Sequence, residues 1–345
     1  MEDLHAADAP GMHQYTPPQG MPALVDAVVA RMRERADAAV EREGVCVSGG
    51  ATAGLAAAVG TMVQPGDEVL LLAPHWPLID GIVRMFGALP VPVPFFGLAD
   101  SAASAVGTVE AARSERTVAL YVNTPNNPTG RTIPLEWLEA LVVWARRHDI
   151  WLLFDEVYED YDYAGKHPYG LALAPERAIS AHSFSKAYGM AGYRCGFLVG
   201  PADVMKDVLK IHTHTTYSAP TASQLAALRV LDGRGDRWAA AARTEYRAVG
   251  EKAAARLGLP APDGSTFLFL DVAPHLKDGD LLAFLDGCSE DGIFAAPGPS
   301  FGPYPSHIRI CYTAAPPDVV LRGVEKLALR MGRSGPGSAL ALDGH

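Results

Sequence analysis

The chain has 345 residues, of which 49% are hydrophobic, and a formal net charge of −10 at pH 7. This composition is typical of a globular protein with a sizeable core. The acidic balance argues against a nucleic-acid partner, because a phosphate backbone is itself negative. The apolar runs fall short of the roughly 20 residues that a membrane-spanning helix needs, and the start, Met1-Glu2-Asp3, is acidic where a signal peptide is basic. We therefore expect a cytoplasmic protein that binds neither nucleic acid nor a membrane.

The four cysteines and the histidines predict no covalent or metal cross-link. Cys46, Cys195, Cys288 and Cys311 lie far apart in the sequence, which is typical of free thiols in a reducing compartment. The His212-Thr213-His214 segment has no further ligand at the spacing that a metal site requires. We expect no structural metal.

Strand-like and helix-like segments alternate through the first two thirds of the chain. In chain order we predict a strand at 45–48, a helix at 51–62, a strand at 68–72, a helix at 78–86, a strand at 118–122, a helix at 135–147, and strands at 151–154 and 178–182. Alternation of this kind predicts an α/β fold with a mostly parallel sheet between two layers of helices.

The rhythm changes after about residue 235 and favours a smaller α+β unit. We predict a helix at 237–257, a strand at 267–272, a helix at 281–285, a strand at 307–312 and a closing helix. The predicted organisation is a short N-terminal segment (1–19), a large domain (20–235), a small C-terminal domain (236–331) and a disordered tail (332–345).

Three segments place a polar residue just after a predicted strand, and each has an ordinary alternative explanation. Asn127 lies in a Pro- and Gly-containing loop and could be a simple turn residue. Asp155 ends an apolar strand, where a carboxylate needs a partner or caps a helix. Lys186 follows Ser183-Phe184-Ser185 and could point to solvent. A desolvated lysine, in contrast, is a nucleophilic amine that can form a Schiff base.

Taken together, these segments resemble the class I/II aminotransferases, which are fold-type I pyridoxal-phosphate (PLP) enzymes related to aspartate aminotransferase. The motifs N-N-P-T-G, D-x-V-Y and S-x-S-K-x-x-G-x-x-G-x-R-x-G occur in the family's order and approximate spacing. The resemblance implies that Lys186 forms the aldimine and then moves the substrate proton. It also implies that Asp155 pairs with the protonated ring nitrogen, and that Asn127 and Tyr158 donate to the ring oxygen.

The resemblance implies donors for the cofactor phosphate as well. The small-residue turn Ser48-Gly49-Gly50 precedes a predicted helix, and a helix N-terminus binds anions. The resemblance assigns phosphate contacts to Ala51 and Thr52, which follow this turn, and to Ser183 and Arg194, which lie on either side of the lysine in the sequence. It further assigns ring stacking to Trp76, for which a core tryptophan is the alternative.

Two residues towards the chain ends also match the family. Tyr15 resembles the tyrosine that reaches the phosphate of the neighbouring subunit, which implies a homodimer with shared active sites. Arg309 resembles the arginine that clamps the substrate α-carboxylate, with a surface arginine on a strand as the alternative. Relatives that use dicarboxylic amino acids carry a further arginine at the position that His214 takes here, so His214 is a candidate contact for the substrate side chain.

The sequence leaves the reaction and the substrate partly open. We expect a PLP-dependent aminotransferase that moves an amino group from an α-amino acid to a 2-oxo acid. A PLP-dependent lyase or cyclase that catalyses β/γ-elimination or replacement would use the same residues, and a non-catalytic binding protein of this fold is a third possibility. Only fourteen residues precede Tyr15, fewer than in typical relatives. We expect that the site is more open, that another element closes it, or that the true start lies upstream; loss of closure would favour an unusual or bulky substrate.

Overall fold

A computed structural model describes residues 11–163 and 165–333. Its centre is a seven-stranded sheet with the order β1-β7-β6-β5-β4-β2-β3. The strands are β1 Val45–Ser48, β2 Glu68–Ala73, β3 Leu89–Pro94, β4 Thr117–Asn123, β5 Trp151–Asp155, β6 Ala178–Ser183 and β7 Gly196–Val199. Strand β7 runs antiparallel to β6 and β1, and the other neighbouring strands are parallel. The predicted α/β class with a mostly parallel sheet is confirmed.

Helices cover both faces of this sheet, because its central strands are apolar on both sides. They are α1 Pro22–Ala36, α2 Ala51–Met62, α3 Leu78–Met85, α4 Ala102–Ala112, α5 Leu135–Arg147, α6 Gly170–Leu173, α7 Phe184–Ala187, α8 Ala202–Thr215 and α9 Thr221–Val230. Residues of α2, α3 and α8 pack with Tyr121 and Leu153 on one face. Residues of α4 and α5 pack with Leu152 and Phe154 on the other.

Strand β3 and helix α4 were not among the predicted elements. The sequence of β3 is Leu-Pro-Val-Pro-Val-Pro, and proline lacks the amide donor that a central strand needs. The structure resolves this conflict by placing β3 at the edge of the sheet, where prolines are tolerated.

The C-terminal part forms a second sheet with three helices. The antiparallel order β8-β10-β9 joins β8 Phe267–Asp271, β9 Ala296–Pro297 and β10 His307–Cys311. The helices are α10 Arg234–Arg256, α11 Leu281–Glu290 and α12 Pro317–Arg330. The predicted domain boundary at residue 236 falls in the first turn of α10, and the division into domains stays a prediction.

Two further sequence expectations concern the limits of the chain. Most of the tail predicted to be disordered, residues 334–345, lies outside the described residues. Within the described part, no helix has the length and apolar character needed to cross a membrane.

The topology places three polar residues side by side. Strands β4, β5 and β6 are parallel neighbours, and they end at Asn123, Asp155 and Ser183. The carboxyl ends of parallel strands form the usual ligand-binding edge of an open α/β sheet.

Candidate active site

A cavity of about 130 Å³ lies at this edge of the large sheet. Nine of the twelve residues predicted from the sequence line it: Ala51, Thr52, Trp76, Asn127, Asp155, Tyr158, Ser183, Lys186 and Arg194. They come from segments up to 143 positions apart, as the numbering of Ala51 and Arg194 shows. The fold therefore brings together residues from several separate segments of the chain.

Asp155 is the buried carboxylate of the cavity. Its Oδ2 accepts a hydrogen bond from the phenol of Tyr121 at 2.5 Å, and its Oδ1 accepts one from the amide of Val157 at 3.4 Å. Burial raises the pKa of Asp155 to about 6, although these two hydrogen bonds and the charge of Lys186 act to lower it. Asp155 is desolvated and lacks a full counter-charge. A cationic group of a ligand beside it would therefore stabilise its ionised form.

Asn123 joins Asp155 to the loop after β4. Its side-chain Nδ2 donates to the backbone oxygen of Asp155 at 2.9 Å, and its Oδ1 accepts from the backbone amide of Asn127 at 2.8 Å. The amide side chain thus fixes the start of the Asn127 loop relative to the end of β5.

Lys186 is carried by the short helix α7, directly after β6. Ser183 caps that helix, because its Oγ accepts from the amide of Ser185 at 3.1 Å. Desolvation lowers the pKa of Lys186, the nearby cations Arg309 and Arg194 lower it further, and Asp155 opposes them. A lowered pKa increases the fraction of neutral amine, which is the nucleophilic form.

An anion-binding cradle forms at the N-terminus of α2. The helix follows Gly50 and has no side-chain cap, so the amides of its first turn are open to a ligand. Arg194 lies against this turn and donates from Nη1 to the backbone oxygen of Ala191 at 3.0 Å. A Cβ at Gly50 would lie 2.4 Å from Nη2 of Arg194, so glycine is needed for this close approach. Amides and a guanidinium together suit a phosphate dianion.

Tyr158 and Trp76 supply the aromatic walls of the cavity. Tyr158 is 3% exposed, and its ring centroid lies 5.6 Å from Nζ of Lys186. Burial raises the pKa of Tyr158, and the nearby Asp155 adds to the shift. Its phenol is therefore protonated at neutral pH and can donate a hydrogen bond.

Arg309 lies beside the cavity on strand β10. Its Nη1 donates to Oδ1 of Asn127 at 3.0 Å, and its guanidinium carbon lies 4.3 Å from the ring centroid of Phe267 and 4.9 Å from that of Phe301. The Nε atom is buried without a hydrogen-bond partner. An orphaned guanidinium nitrogen needs an acceptor, and a ligand carboxylate would supply one.

Tyr15 and His214 do not line the cavity. The ring of Tyr15 is 85% exposed and packs edge-to-face on Tyr217 at 5.2 Å. His214 is exposed near the end of α8, where Nδ1 lies 2.7 Å from the backbone oxygen of Lys210. The predicted roles of both residues concern a neighbouring subunit, so they stay predictions.

Sequence reasoning missed Tyr121 and Asn123. Both lie on β4, and Asn123 is the register partner of Asp155. Alternation along a strand puts Tyr121 and Asn123 on one face of β4, and the sequence alone shows this. Their connection to Asp155 depends on the pairing of β4 with β5, which the sequence does not show. Phe267 and Phe301, which flank Arg309, were missed because they come from separate C-terminal segments.

The fold brings together, at one cavity, a lysine of lowered pKa, a buried carboxylate and an uncapped helix N-terminus beside an arginine. These donors suit PLP, which offers an aldehyde, a basic ring nitrogen, a ring oxygen and a phosphate. The cradle at α2, the carboxylate of Asp155 and the amine of Lys186 each match one of these groups.

Comparisons with known proteins agree with this class. Residues 1–327 match the family described as aminotransferase class I and II. A probable aspartate/prephenate aminotransferase of Thermus aquaticus is 34% identical over 311 residues, covering 88% of this chain and 80% of the relative. An arginine–pyruvate transaminase of Pseudomonas aeruginosa is 32% identical, covering 87% of this chain and 78% of the relative.

A solved structure gives the same result. A double mutant of Thermus thermophilus aspartate aminotransferase superposes with a TM-score of 0.87 at 31% identity, covering 95% of this chain and 87% of that one. The chain belongs to the class I and II aminotransferase family, and its activity is PLP-dependent amino-group transfer. The substrates named for the relatives differ, so membership does not define the amino acid.

Proposed function

We propose that this chain transfers an amino group from an α-amino acid to a 2-oxo acid with PLP bound covalently to Lys186. The observation that carries the proposal is the placement of Lys186, Asp155 and the α2 cradle around one cavity. When bound, PLP draws electrons from the Cα of the substrate and makes its proton acidic. Side chains of the protein would bind the substrate, orient it and move its protons.

Asp155 holds a proton on the ring nitrogen. Its pKa, about 6 in the cavity, falls when a cation lies beside it, because an opposite charge favours the ionised carboxylate. Tyr121 supports the ionised form by donating to Oδ2. Asn127 and the protonated phenol of Tyr158 would donate to the ring oxygen, a role supported by their position in the lining of the cavity.

Lys186 has two tasks in this proposal. As a neutral amine it is the nucleophile that binds the cofactor. With its amine free, Lys186 would also be the base that takes the proton from the substrate Cα and holds it for return. The lowered pKa of Lys186 favours the neutral form needed for both tasks.

Arg309 is proposed to bind the α-carboxylate that all amino-acid substrates share. Its fork can donate two parallel hydrogen bonds, and Asn127 holds one end of the guanidinium. Binding by the common carboxylate leaves the choice of substrate to contacts with the side chain, for which His214 of a neighbouring subunit is our candidate.

A panel of amino donors tests the reaction. Single-turnover mixing of the holoenzyme with each donor should release its 2-oxo acid and leave pyridoxamine phosphate in stoichiometric amount. Regeneration of PLP with release of an elimination or cyclisation product would identify a lyase or cyclase instead. The same panel with His214→Ala should change the ranking of donors, and an unchanged ranking would remove His214 from the substrate site.

We further propose a homodimer in which Tyr15 reaches the phosphate of the partner's cofactor. The exposed, aromatic Tyr15–Tyr217 pair suits a subunit contact. In an equal mixture of inactive Lys186→Ala and impaired Tyr15→Ala chains, about half of the dimers should be heterodimers, each with one intact site. Activity should therefore recover to about a quarter of the wild-type value. No recovery, with exchange of subunits verified, would place Tyr15 outside the partner's site.

Two broader expectations remain proposals. The small domain 236–331 carries Arg309 and is proposed to move as a unit towards the cavity when substrate binds; small-angle scattering with and without a dicarboxylate inhibitor tests this. A cytoplasmic location is proposed from the composition and cysteine spacing, and cell fractionation tests it.

A further inference from the structure

Buried ionisable side chains lie behind the active-site cavity, on the opposite side of strands β5 and β6. Glu156 directly follows Asp155, and His182 directly precedes Ser183. Successive side chains of a strand point to opposite faces, so His182 points away from the face on which Ser183 lines the cavity. Glu156 follows the last residue of β5, and its carboxylate lies on the same side as His182, 3.4 Å from its ring. Both side chains are 0% exposed, and neither lines the cavity.

His182 lies between two carboxylates. Its Nε2 is 3.4 Å from Oε2 of Glu156, and its Nδ1 is 3.4 Å from Oε1 of Glu159. Both contacts are at ion-pair distance, although neither ring nitrogen meets the geometry of a hydrogen bond. An imidazole can offer a proton to both carboxylates only when each ring nitrogen carries one. Phe197 stacks on the ring with the centroids 4.7 Å apart, which fixes the orientation of the imidazole.

Glu159 provides a second ionised group for His182. Burial acts to raise the pKa of Glu159, but the charges of His182, Arg31 and Arg35 prevail and hold it well below its usual range. Glu159 is therefore ionised at neutral pH. A negative group therefore lies 3.4 Å from Nδ1 of His182.

Glu156 is held from other directions as well. Its Oε1 accepts from the backbone amide of Gly170 at 2.7 Å and lies 3.4 Å from Nε2 of His167. Burial acts to lower the pKa of His167, but hydrogen bonds to Asp162 and Glu156 prevail and raise it to about 9. Glu156 thus lies between two histidines, and an ionised carboxylate in a buried site needs such compensation.

The charge of Glu156 matters to the active site because Asp155 is its neighbour. Burial is the main cause of the raised pKa of Asp155, and the negative charge of Glu156 adds to it. If that charge were not compensated, it would favour the protonated form of Asp155. A protonated carboxyl cannot stabilise a cation on the cofactor ring nitrogen.

We propose that His182 is a positioning residue for Asp155: it holds Glu156 in place and neutralises its charge, so that Asp155 stays ionised beside the cofactor ring. His182 touches neither cofactor nor substrate and acts through Glu156. The inference rests on the proposed role of Asp155 as the partner of the ring nitrogen. Other ionisable groups around the pair are Arg31, Arg35, Asp160, Asp162, His167 and Tyr169.

The test uses the holoenzyme reconstituted with PLP labelled with ¹⁵N in the ring. His182→Phe keeps the ring volume and the stack on Phe197 but removes both nitrogens. We expect the ring ¹⁵N resonance at neutral pH to move towards that of unprotonated pyridine, as the shared proton shifts to Asp155. We also expect kcat to fall about tenfold, the equivalent of one pKa unit, with KM for the donor nearly unchanged.

Charge compensation is separated from a structural role by a second substitution. Glu156→Gln removes the charge and keeps an oxygen that accepts from Gly170. The double variant Glu156→Gln/His182→Phe should therefore return the ¹⁵N resonance and most of kcat towards wild type, although two partners are missing. If the double variant is no closer to wild type than His182→Phe, the proposal is overturned.

His212 offers a matched control. It is also 0% exposed, and its ring nitrogens, like those of His182, have no hydrogen-bond partner. Burial alone lowers the pKa of His212, whereas His182 lies between two carboxylates. His212→Phe should change the unfolding temperature without moving the ¹⁵N resonance, and an equal shift in both variants would contradict the proposal. If His182→Phe does not fold, the double variant Glu156→Gln/His182→Gln replaces it. Its ring ¹⁵N resonance should lie at the wild-type position, because both charges are removed together. A shift of that resonance towards unprotonated pyridine would overturn the proposal.

The wild-type holoenzyme distinguishes this inference from the proposed function. A wild-type ring resonance at the protonated position supports the role of Asp155, whatever His182→Phe shows. A wild-type resonance at the unprotonated position removes that role and the inference with it.

Discussion

The phenol of Tyr121 donates a 2.5 Å hydrogen bond to Oδ2 of Asp155. Both side chains are buried, with 0% and 3% exposure. Burial, followed by the charge of Asp155, raises the pKa of Tyr121 far above its usual value. The phenol is therefore protonated at neutral pH, and its hydrogen bond stabilises the ionised form of the carboxylate.

Replacing Tyr121 with Phe should raise the pKa of Asp155, because the hydrogen bond favours the ionised form. A hydrogen bond to a charged group contributes about 1.5–3 kcal/mol, so we expect kcat to fall by about tenfold or more. The pH profile of kcat should change at its acid limb. Tyr312→Phe removes another buried phenol, one that donates to Ser265, and should lower stability without changing the pH profile. A profile that changes equally in both variants would contradict the prediction.

Replacing Gly50 with Ala should weaken PLP binding, because the new Cβ would lie 2.4 Å from Nη2 of Arg194. Gly50 also has a φ of 86° and a ψ of 162°, a conformation that essentially only glycine adopts and that costs a side chain about 1–3 kcal/mol. Gly66→Ala is the matched control, since Gly66 has a φ of 93° and open space around its Cβ position. Equilibrium dialysis should show about a tenfold or greater loss of PLP affinity for Gly50→Ala alone. Equal affinity in the two variants would exclude the Arg194 contact as the cause.

Asp155→Asn should stabilise the PLP-free protein at neutral pH while it abolishes activity. The folded-state pKa of Asp155, about 6, is above its ordinary value of 3.8. The folded protein therefore holds this proton more tightly than the unfolded chain, and stability falls as pH rises from about 4 to about 6. This loss lowers the free energy of unfolding of the PLP-free wild type by at most about 3 kcal/mol at pH 7.

Urea unfolding of the PLP-free wild type and Asp155→Asn at pH 4.5 and 7 measures this effect. The advantage of the variant should be larger at pH 7 than at pH 4.5. An advantage that does not grow with pH would mean that Asp155 is ionised in the folded protein at little cost.

Replacing Arg309 with Lys should raise KM for every amino donor by about tenfold or more and leave PLP affinity unchanged. Lysine keeps the charge but lacks the planar fork that binds a carboxylate with two hydrogen bonds. It also loses the contacts that Arg309 makes with Asn127 and Phe267. Arg131→Lys, at a half-exposed ion pair with Asp263, is the control. An increase in KM limited to some donors would contradict binding of the shared carboxylate.

Local sequence patterns were sufficient for most of the fold. The apolar run before Asp155 and the helix pattern after Gly50 match β5 and α2, because buried parallel strands and apolar helices have strong local signatures. Strand β3 could not be predicted this way, since three prolines oppose a strand and the edge position that permits them is set by tertiary packing.

The site was predictable where a chemical role could be attached to a motif. Lys186, Asp155 and Arg194 fall in motifs of the family and line one cavity. The partners that tune them do not lie in those motifs. Tyr121 reaches Asp155 through the pairing of β4 with β5, and His182 reaches Glu156 through the pairing of β5 with β6. These relationships depend on strand order and register, which no local pattern specifies.

The central claim is that Lys186 holds PLP covalently. Reduction of the PLP-loaded enzyme with borohydride, followed by proteolysis and mass spectrometry, tests it most directly. We predict one pyridoxyl group per chain, on Lys186, and no stable label in Lys186→Ala. A label on another lysine, or no label in the wild type after loading with PLP, would contradict the account.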